Sequence, residues 1–213
     1  MFYFYAGGFY ISDGYEYTVS RSYFSANTAS YGAGLVDWYS ENSKILDSVF
    51  DNNTVSGSGG SLYIDDSLNL HIKGCRMNNN EASYGGAVYM KGPVSPHIES
   101  CNFTLNFAHD HAGSIYIGSS SDVVVEQSFF HGNYADEKGG AVYINDVNGI
   151  EVVECRFLSN EVGTDGGAIA FYDTVGASLS RSVFDGNISP DDGGKWLNIA
   201  PCTCIIRWTI IRY

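Results

Sequence analysis

The sequence predicts an all-β fold, a right-handed parallel β-helix (a solenoid) of about eight coils of 26–27 residues. Two motifs repeat along the 213 residues and support this prediction. One is Ser/Cys-x-Phe-x-x-Asn, and the other is a glycine pair or its remnant at the same interval. The second position of the glycine pair is found at Gly8, Gly34, Gly60, Gly86, Gly113, Gly140, Gly167 and Gly194. A fixed period of this length is typical of stacked, equivalent coils.

Each repeat contains two stretches in which side chains alternate in character. In one unit Val142 and Ile144 are predicted to point inward, and a second stretch over residues 150–157 follows a turn rich in Asp, Asn and Gly. β-Branched residues alternating between turn signals predict strands. The second stretch carries an aliphatic column: Val19, Ile45, Ile72, Ile98, Val125, Val152 and Leu179. Because no unit shows a capped helical period, the coils are predicted to contain strands only.

Three further columns are predicted to face the core. The aromatic column holds Phe24, Phe50, Met77, Phe103, Phe130, Phe157 and Phe184. The asparagine column holds Asn27, Asn53, Asn80, Asn106, Asn133, Asn160 and Asn187, whose amides can bond from coil to coil. The small-residue column holds Ser22, Ser48, Cys75, Cys101, Ser128, Cys155 and Ser182. Neighbours in this column lie one strand spacing apart, so Cys75 and Cys101 have the separation for a disulfide, but buried free thiols are favoured.

The repeat predicts one domain over residues 1–213. Residues 195–213 are predicted to form a degenerate last coil, with Ile206 in the aliphatic column, Thr209 in the Ser/Cys column and Ile211 in the aromatic column. Because the chain begins and ends inside a repeat, we expect it to be a section of a longer protein with flanking domains.

Charge and hydropathy disfavour several kinds of partner. The formal net charge is −13 with only 11 Lys plus Arg, and the sequence has no basic cluster. Nucleic acid and anionic membranes are therefore not expected partners. No apolar run is long enough for a transmembrane helix, and the N-terminus lacks the pattern of a secretory signal.

A column of tyrosines is the main candidate binding site. Tyr63, Tyr89, Tyr116 and Tyr143 are predicted to face outward on four consecutive coils. The column is expected to continue through Ile11 and Asp37 in the preceding coils, and through Ala170 in the following one. Stacked tyrosines form a flat amphipathic strip suited to sugar rings or to a protein surface. The alternative is a ladder that only fixes the register of the coils.

Carboxylates in the loops before the glycine pairs form a second candidate site. They are Asp110, Asp136, Glu137, Asp165, Asp191 and Asp192. Carboxylates in neighbouring coils repel each other, and calcium, which binds flexible oxygen ligands, would relieve the repulsion. Solvated turns are the simpler interpretation, because Asp is a common turn residue. Apart from possible calcium, no cofactor is expected.

A polysaccharide lyase or hydrolase is the enzymatic alternative, with a carboxylate pair on an outward strand face. Glu99 and Glu126 occupy one column on adjacent coils, at the separation expected of a retaining glycosidase pair. An ion-paired, solvated face is the favoured interpretation, since both glutamates sit at a repeated position. His109, His111 and His131 lack metal-ligand spacing and are predicted to be surface residues.

The glycine and aromatic motifs together resemble a known repeat. Gly-Gly-Ala-Val/Ile occurs at residues 85–88, 139–142 and 166–169, and it alternates with Phe-x-x-Asn. This combination is similar to the repeats of polymorphic outer membrane proteins, which are surface-displayed autotransported proteins. The resemblance implies a non-enzymatic, extracellular or cell-surface segment that acts in adhesion, display or as a stalk. Its expected partner is a carbohydrate or a protein surface.

Overall fold

The structure, a computed structural model, describes residues 6–190 and the backbone of the strand Ile205–Arg207. The chain winds into a parallel solenoid with three sheets, A, B and C. Sheet A contains Phe9–Ser12, Thr18–Ser20, Leu35–Trp38, Lys44–Leu46, Leu62–Asp65, His71–Lys73, Val88–Lys91, His97–Glu99, Ile115–Glu126, Val142–Val153, Ile169–Tyr172, Val175–Ser180 and Ile205–Arg207. Sheet B contains Tyr23–Ser25, Val49–Asp51, Arg76–Asn78, Asn102–Thr104, Phe129–His131, Arg156–Leu158 and Val183–Asp185. Sheet C contains Thr28–Ala29, Thr54–Val55, Glu81–Ala82, Phe107–Ala108, Tyr134–Ala135 and Glu161–Val162.

Equivalent residues of successive coils stack in register, and the seven strands of sheet B mark seven coils. The predicted aliphatic column is confirmed, since Ile72 pairs with Ile45 on one side and Ile98 on the other. The register also extends past residue 190, where Ile206 lies opposite Leu179 as the repeat predicts. Thr209, Ile211, Asp191 and Asp192 fall outside the described residues.

Each coil has more corners than the two predicted stretches imply. The second stretch is divided between sheets A and B, because the chain turns between Val153 and Arg156 at Glu154, whose φ is 55°. A short third strand in sheet C was not predicted at all. The same corner is left-handed in every coil, at Arg21, Asp47, Gly74, Ser100, Gln127, Glu154 and Arg181. Only one of these residues is glycine, so the residue types give no sign of a conformation that costs about 1–2 kcal/mol for other residues.

The two glycines of the repeated pair serve different purposes. Gly85, the first glycine of its pair, has φ +61°, a conformation that favours glycine over other residues. Gly86, the second glycine, is constrained instead by the backbone of the following coil. A Cβ on Gly86 would lie 2.2 Å from the backbone oxygen of Gly113 in the following coil. Stacking at strand spacing therefore leaves no room for a side chain at the second position.

The glycine motif gave the wrong register at one coil. Gly34 does not align with Gly60: its amide donates to the carbonyl oxygen of Ser61, and Leu35 pairs with Leu62. Asp37 consequently pairs with Ile64 and faces the core, and Ile11 pairs with Asp37. The predicted continuation of the tyrosine column through Ile11 and Asp37 is wrong. The residues that continue it are Val36 and Tyr10.

The asparagine and aromatic columns lie in the core as predicted. Asn133 is completely buried and donates from Nδ2 to the Phe103 carbonyl oxygen (3.0 Å) and to Oδ1 of Asn160 (2.9 Å). The ring of Phe130 stacks on Phe103 and Phe157 at centroid distances of 4.9 and 4.6 Å. In the small-residue column Cys75, Cys101 and Cys155 are buried free thiols, as the sequence favoured.

The register change leaves a carboxylate in the core of the second coil. Asp37 is 0% exposed and accepts a hydrogen bond from the Tyr17 hydroxyl at 2.8 Å, while its Oδ1 has no hydrogen-bond partner among the described residues. Burial raises the pKa of Asp37, although the Ser40, Tyr17 and Ser67 hydroxyls beside it oppose that shift. The ionised form is therefore disfavoured in the folded chain.

We expect Asp37→Asn to stabilise the protein at neutral pH. A carboxyl whose pKa is raised by folding contributes most stability below its unfolded pKa of about 3.9, and this contribution is lost as pH rises through the folded pKa. The gain should be about 1–3 kcal/mol near pH 7, the scale of an unsatisfied buried polar group, and should disappear near or below the unfolded pKa. Urea midpoints across pH measure it, with the exposed Asp122→Asn as control. An Asp37→Asn gain that is equal at all pH values would contradict this account.

Candidate functional site

The predicted tyrosine strip exists as a stacked array on sheet A. Tyr63, Tyr89, Tyr116 and Tyr143 pair in register across four coils. The ring of Tyr89 lies parallel to those of Tyr63 (5.2 Å, 11°) and Tyr116 (4.7 Å, 19°). Tyr143 is tilted by 44° to Tyr116. The structure therefore brings all four predicted residues together on one face.

The strip is less exposed than the sequence suggested. Tyr63, Tyr89 and Tyr116 are half-buried, and Tyr143 is only 5% exposed. Aromatic residues of the loops before the glycine pairs lie against the strip, and this contact explains the burial. They are Tyr31 against Tyr63, Tyr84 against Tyr116, and His111 against Tyr143. The accessible part is therefore a patch of five tyrosines, which we call the tyrosine patch: Tyr31, Tyr63, Tyr84, Tyr89 and Tyr116.

Acidic side chains border the tyrosine patch. Tyr63 donates its hydroxyl to Oδ2 of Asp65 at 3.3 Å. A hydrogen bond to Asp110 raises the pKa of Tyr84 to about 12, and burial raises that of Tyr89 to about 12. The patch thus presents ring edges and hydroxyls next to carboxylates.

The acidic loop residues that the structure describes, Asp110, Asp136, Glu137 and Asp165, do not form one site. Asp110 and Glu137 meet at His111, whose Nδ1 lies 2.9 Å from Oδ1 of Asp110 and 3.7 Å from Oε2 of Glu137, though not aligned for a hydrogen bond. Ligand atoms of these three residues lie within 4.8 Å of one another. His111 therefore does have metal-ligand neighbours, although the sequence spacing gave no sign of them.

The other acidic loop residues have different neighbours. Asp136 lies beside His109, 3.9 Å from its Nδ1, and Asp165 is in register with Lys138. Calcium prefers oxygen ligands. The Lys138 ammonium beside Asp165 and the His111 imidazole between Asp110 and Glu137 therefore both fit poorly with a calcium ion. Calcium at these loops remains a prediction.

A second cluster lies on the other half of sheet A, and the sequence reasoning found its two glutamates but missed its histidines. His71 and His97 pair in register, and their imidazoles stack at 4.6 Å with an interplanar angle of 7°. His71 Nε2 lies 3.0 Å from Oε2 of Glu99, and His97 Nε2 lies 2.9 Å from Oε1 of Glu126. Lys73 approaches Oε1 of Glu99 at 2.6 Å. We call these five side chains the His–Glu cluster.

The His–Glu cluster shows how the two candidate catalytic glutamates are used. Glu99 and Glu126 do occupy one column, as predicted, but each is engaged by a histidine of the preceding coil. The Lys73 ammonium lowers the pKa of Glu99, which is opposite to the raised pKa of a general acid. Burial lowers the pKa of His71. A repeat-based search could have found the histidines, since they lie two residues before Lys73 and Glu99 in adjacent coils.

The surface of the described residues also contains a shallow depression, which we considered as a ligand pocket. Its volume is about 290 Å³, and its lining includes Ser119, Asp146 and Asp173. This is at the lower limit of ligand pockets, which usually measure about 300–1,000 Å³, and it contains none of the predicted site residues. Within residues 6–190 and 205–207, no helix is long and apolar enough to cross a membrane.

Comparison with known families agrees with the coil geometry. Residues 2–109, just over half of the chain, match the family model described as a right-handed β-helix region. The chain belongs to the right-handed β-helix family. This assignment gives the handedness of the solenoid and confirms the predicted fold class. The sequence of this chain matches no curated protein. Because one fold serves many functions, what this β-helix does must be argued from its surface.

Proposed function

We propose that this β-helix is a non-enzymatic extracellular or cell-surface segment that acts in adhesion or display, and that it contacts its ligand through the tyrosine patch. The observation that carries this proposal is the stacking of Tyr63, Tyr89 and Tyr116 with their ring edges half-exposed. The coils already have a register-fixing core in the asparagine and aromatic columns. Outward tyrosines on consecutive coils are therefore not needed for stacking alone.

The chemistry of the patch favours a neutral carbohydrate as ligand. The exposed ring edges of the stacked tyrosines contact the apolar faces of sugar rings, while tyrosine hydroxyls and nearby carboxylates bond to sugar hydroxyls. Asp65 and Asp110, together with the net charge of −13, disfavour an acidic polysaccharide. A protein surface is the other ligand consistent with the patch, and the experiment below distinguishes the two.

The repeat motif supports an extracellular location. Gly-Gly-Ala-Val/Ile with Phe-x-x-Asn resembles the repeats of polymorphic outer membrane proteins, and we propose that this β-helix is a related display segment. Its stacked coils provide a rigid spacer that lengthens by about 4.8 Å per coil.

We expect Tyr89→Ala combined with Tyr116→Ala to weaken binding to a neutral-glycan array by more than about tenfold, the usual scale of a contact hot spot. Far-ultraviolet circular dichroism should be unchanged. Tyr15→Ala combined with Tyr23→Ala is the matched control, since these tyrosines are 67% and 66% exposed and lie elsewhere. Binding to intact cells but not to glycans would indicate a protein ligand. Equal binding by both double variants would rule out the tyrosine patch.

The enzymatic alternative has its own test. A polysaccharide-active enzyme would release reducing ends or unsaturated products from a panel of neutral and acidic polysaccharides, and we expect none. Turnover that is abolished by Glu99→Gln or Glu126→Gln would overturn the proposal of a non-enzymatic segment.

A further inference from the structure

The His–Glu cluster has the donor set of a transition-metal site. Ligand atoms of His71, His97 and Glu99 lie within 4.8 Å of one another on the outer face of sheet A. A second carboxylate is adjacent, because Oε1 of Glu126 lies 2.9 Å from Nε2 of His97. Two imidazole nitrogens and two carboxylates form a mixed nitrogen and oxygen set, and zinc accepts both kinds of ligand.

The backbone holds these side chains in place before any metal binds. His71 and His97 are direct neighbours in a parallel pair of strands. Glu99 follows His97 by two residues in the same strand, and it is the direct neighbour of Glu126 in the next coil. The imidazole planes differ by only 7°, so both rings project from the sheet in the same direction. Tetrahedral zinc with bonds of about 2.0–2.1 Å needs ligand atoms about 3.3 Å apart. Small rotations of these half-buried side chains bring them to that separation.

The charge balance of the His–Glu cluster also favours a bound cation. Two carboxylates face one ammonium, that of Lys73, which is 47% exposed and lies 2.6 Å from Oε1 of Glu99. A divalent cation placed between the imidazoles and the carboxylates would replace Lys73 as the partner of Glu99. Lys73 is thus a competitor for the site and not a ligand.

We propose that His71, His97 and Glu99 bind a zinc ion on the outer face of sheet A, with Glu126 or water as the fourth ligand. This site is independent of the tyrosine patch, which lies on the other half of each coil. Calcium is not the expected ion, because it prefers oxygen ligands over imidazole.

The test is a zinc titration of the full chain by isothermal calorimetry, with cobalt as a spectroscopic probe. We expect one zinc per chain, a rise in melting temperature with zinc, and visible cobalt bands of a four-coordinate site. His71→Gln and His97→Gln should each weaken zinc binding by more than about tenfold, since even outer residues of such sites affect affinity by 10–100-fold. Lys73→Met should tighten zinc binding, a gain that a purely structural role for Lys73 would not produce.

Two controls make the result specific. His109→Gln removes a histidine that also contacts a glutamate, with its Nε2 2.8 Å from Oε1 of Glu81. Within the part of the chain that the structure describes, His109 belongs to no three-residue ligand group. This substitution should leave zinc binding unchanged. His111→Gln disrupts the other group, with Asp110 and Glu137. Zinc binding that is lost in His111→Gln and kept in His71→Gln, or the absence of zinc binding in the unmodified protein, would overturn the proposal.

Discussion

Asn133→Ala is expected to be the most destabilising of the substitutions considered. The Asn133 Oδ1 accepts from both the backbone nitrogen (3.0 Å) and Nδ2 (3.1 Å) of Asn106, and its Nδ2 donates to the Phe103 carbonyl oxygen (3.0 Å). Alanine leaves the buried Asn106 backbone nitrogen without its partner. It also removes the bonds to the Phe103 carbonyl oxygen, to Asn160 Oδ1 and to Asn106 Nδ2, which keeps its bond to the Met77 carbonyl oxygen. At about 1–3 kcal/mol for the stranded nitrogen and about 0.5–1.5 kcal/mol for each of the other three lost hydrogen bonds, the free energy of unfolding should fall by several kcal/mol.

Urea denaturation measures this loss, and the exposed Asn148→Ala is the matched control. Because each coil contacts only its neighbours, we also expect the damage to divide the solenoid at the fifth coil. Hydrogen exchange should then show early opening on both sides of residue 133. An Asn133→Ala midpoint close to that of Asn148→Ala would contradict the role of the ladder.

Phe130→Ala should lower the free energy of unfolding by about 3–5 kcal/mol, the range for truncating a buried phenylalanine. Phe130 is 0% exposed and lies between the rings of Phe103 and Phe157. Removing it deletes both ring contacts and leaves a cavity that the rigid coils cannot close. Urea midpoints measure the change.

The chain itself offers the control for Phe130. Met77 occupies the same column between Phe50 and Phe103 and is completely buried, so Phe130→Met should cost much less than Phe130→Ala. Tyr116→Ala, on the outer face, should also cost less than Phe130→Ala. If Tyr116→Ala proved the worse of the two, the inward and outward assignment of the columns would be wrong.

The repeat was informative where one physical requirement recurs in every coil. The aromatic, asparagine and aliphatic columns were predicted because stacking needs the same residue type at the same place, coil after coil. The corners were not predicted, because several residue types adopt the left-handed conformation there: Glu154 and Arg181 do so at φ 55° and 51°. For the same reason, the division into three sheets could not be derived from residue types.

The candidate sites depended even more on three-dimensional packing. The four tyrosines were found as a column, but their burial depends on Tyr31, Tyr84 and His111, which approach from loops outside that column. Similarly, Asp37 was assigned to the outer face because the glycine motif aligned Gly34 with Gly60. In the structure Gly34 is aligned with Ser61, which turns Asp37 toward the core.

The sequence by itself determined the parallel solenoid, its period and the repeated columns of its core, because a repeated pattern can satisfy its backbone and bury its apolar residues only by stacking on itself. The tertiary structure alone decided which outward side chains meet. His71 and Glu99 are 28 residues apart, yet they lie 3.0 Å apart in space. That contact depends on the exact step of each coil, 26 or 27 residues, and on the direction of each side chain. A single-residue change in the step moves a side chain from the surface to the core, which is why the fold could be predicted more fully than its sites.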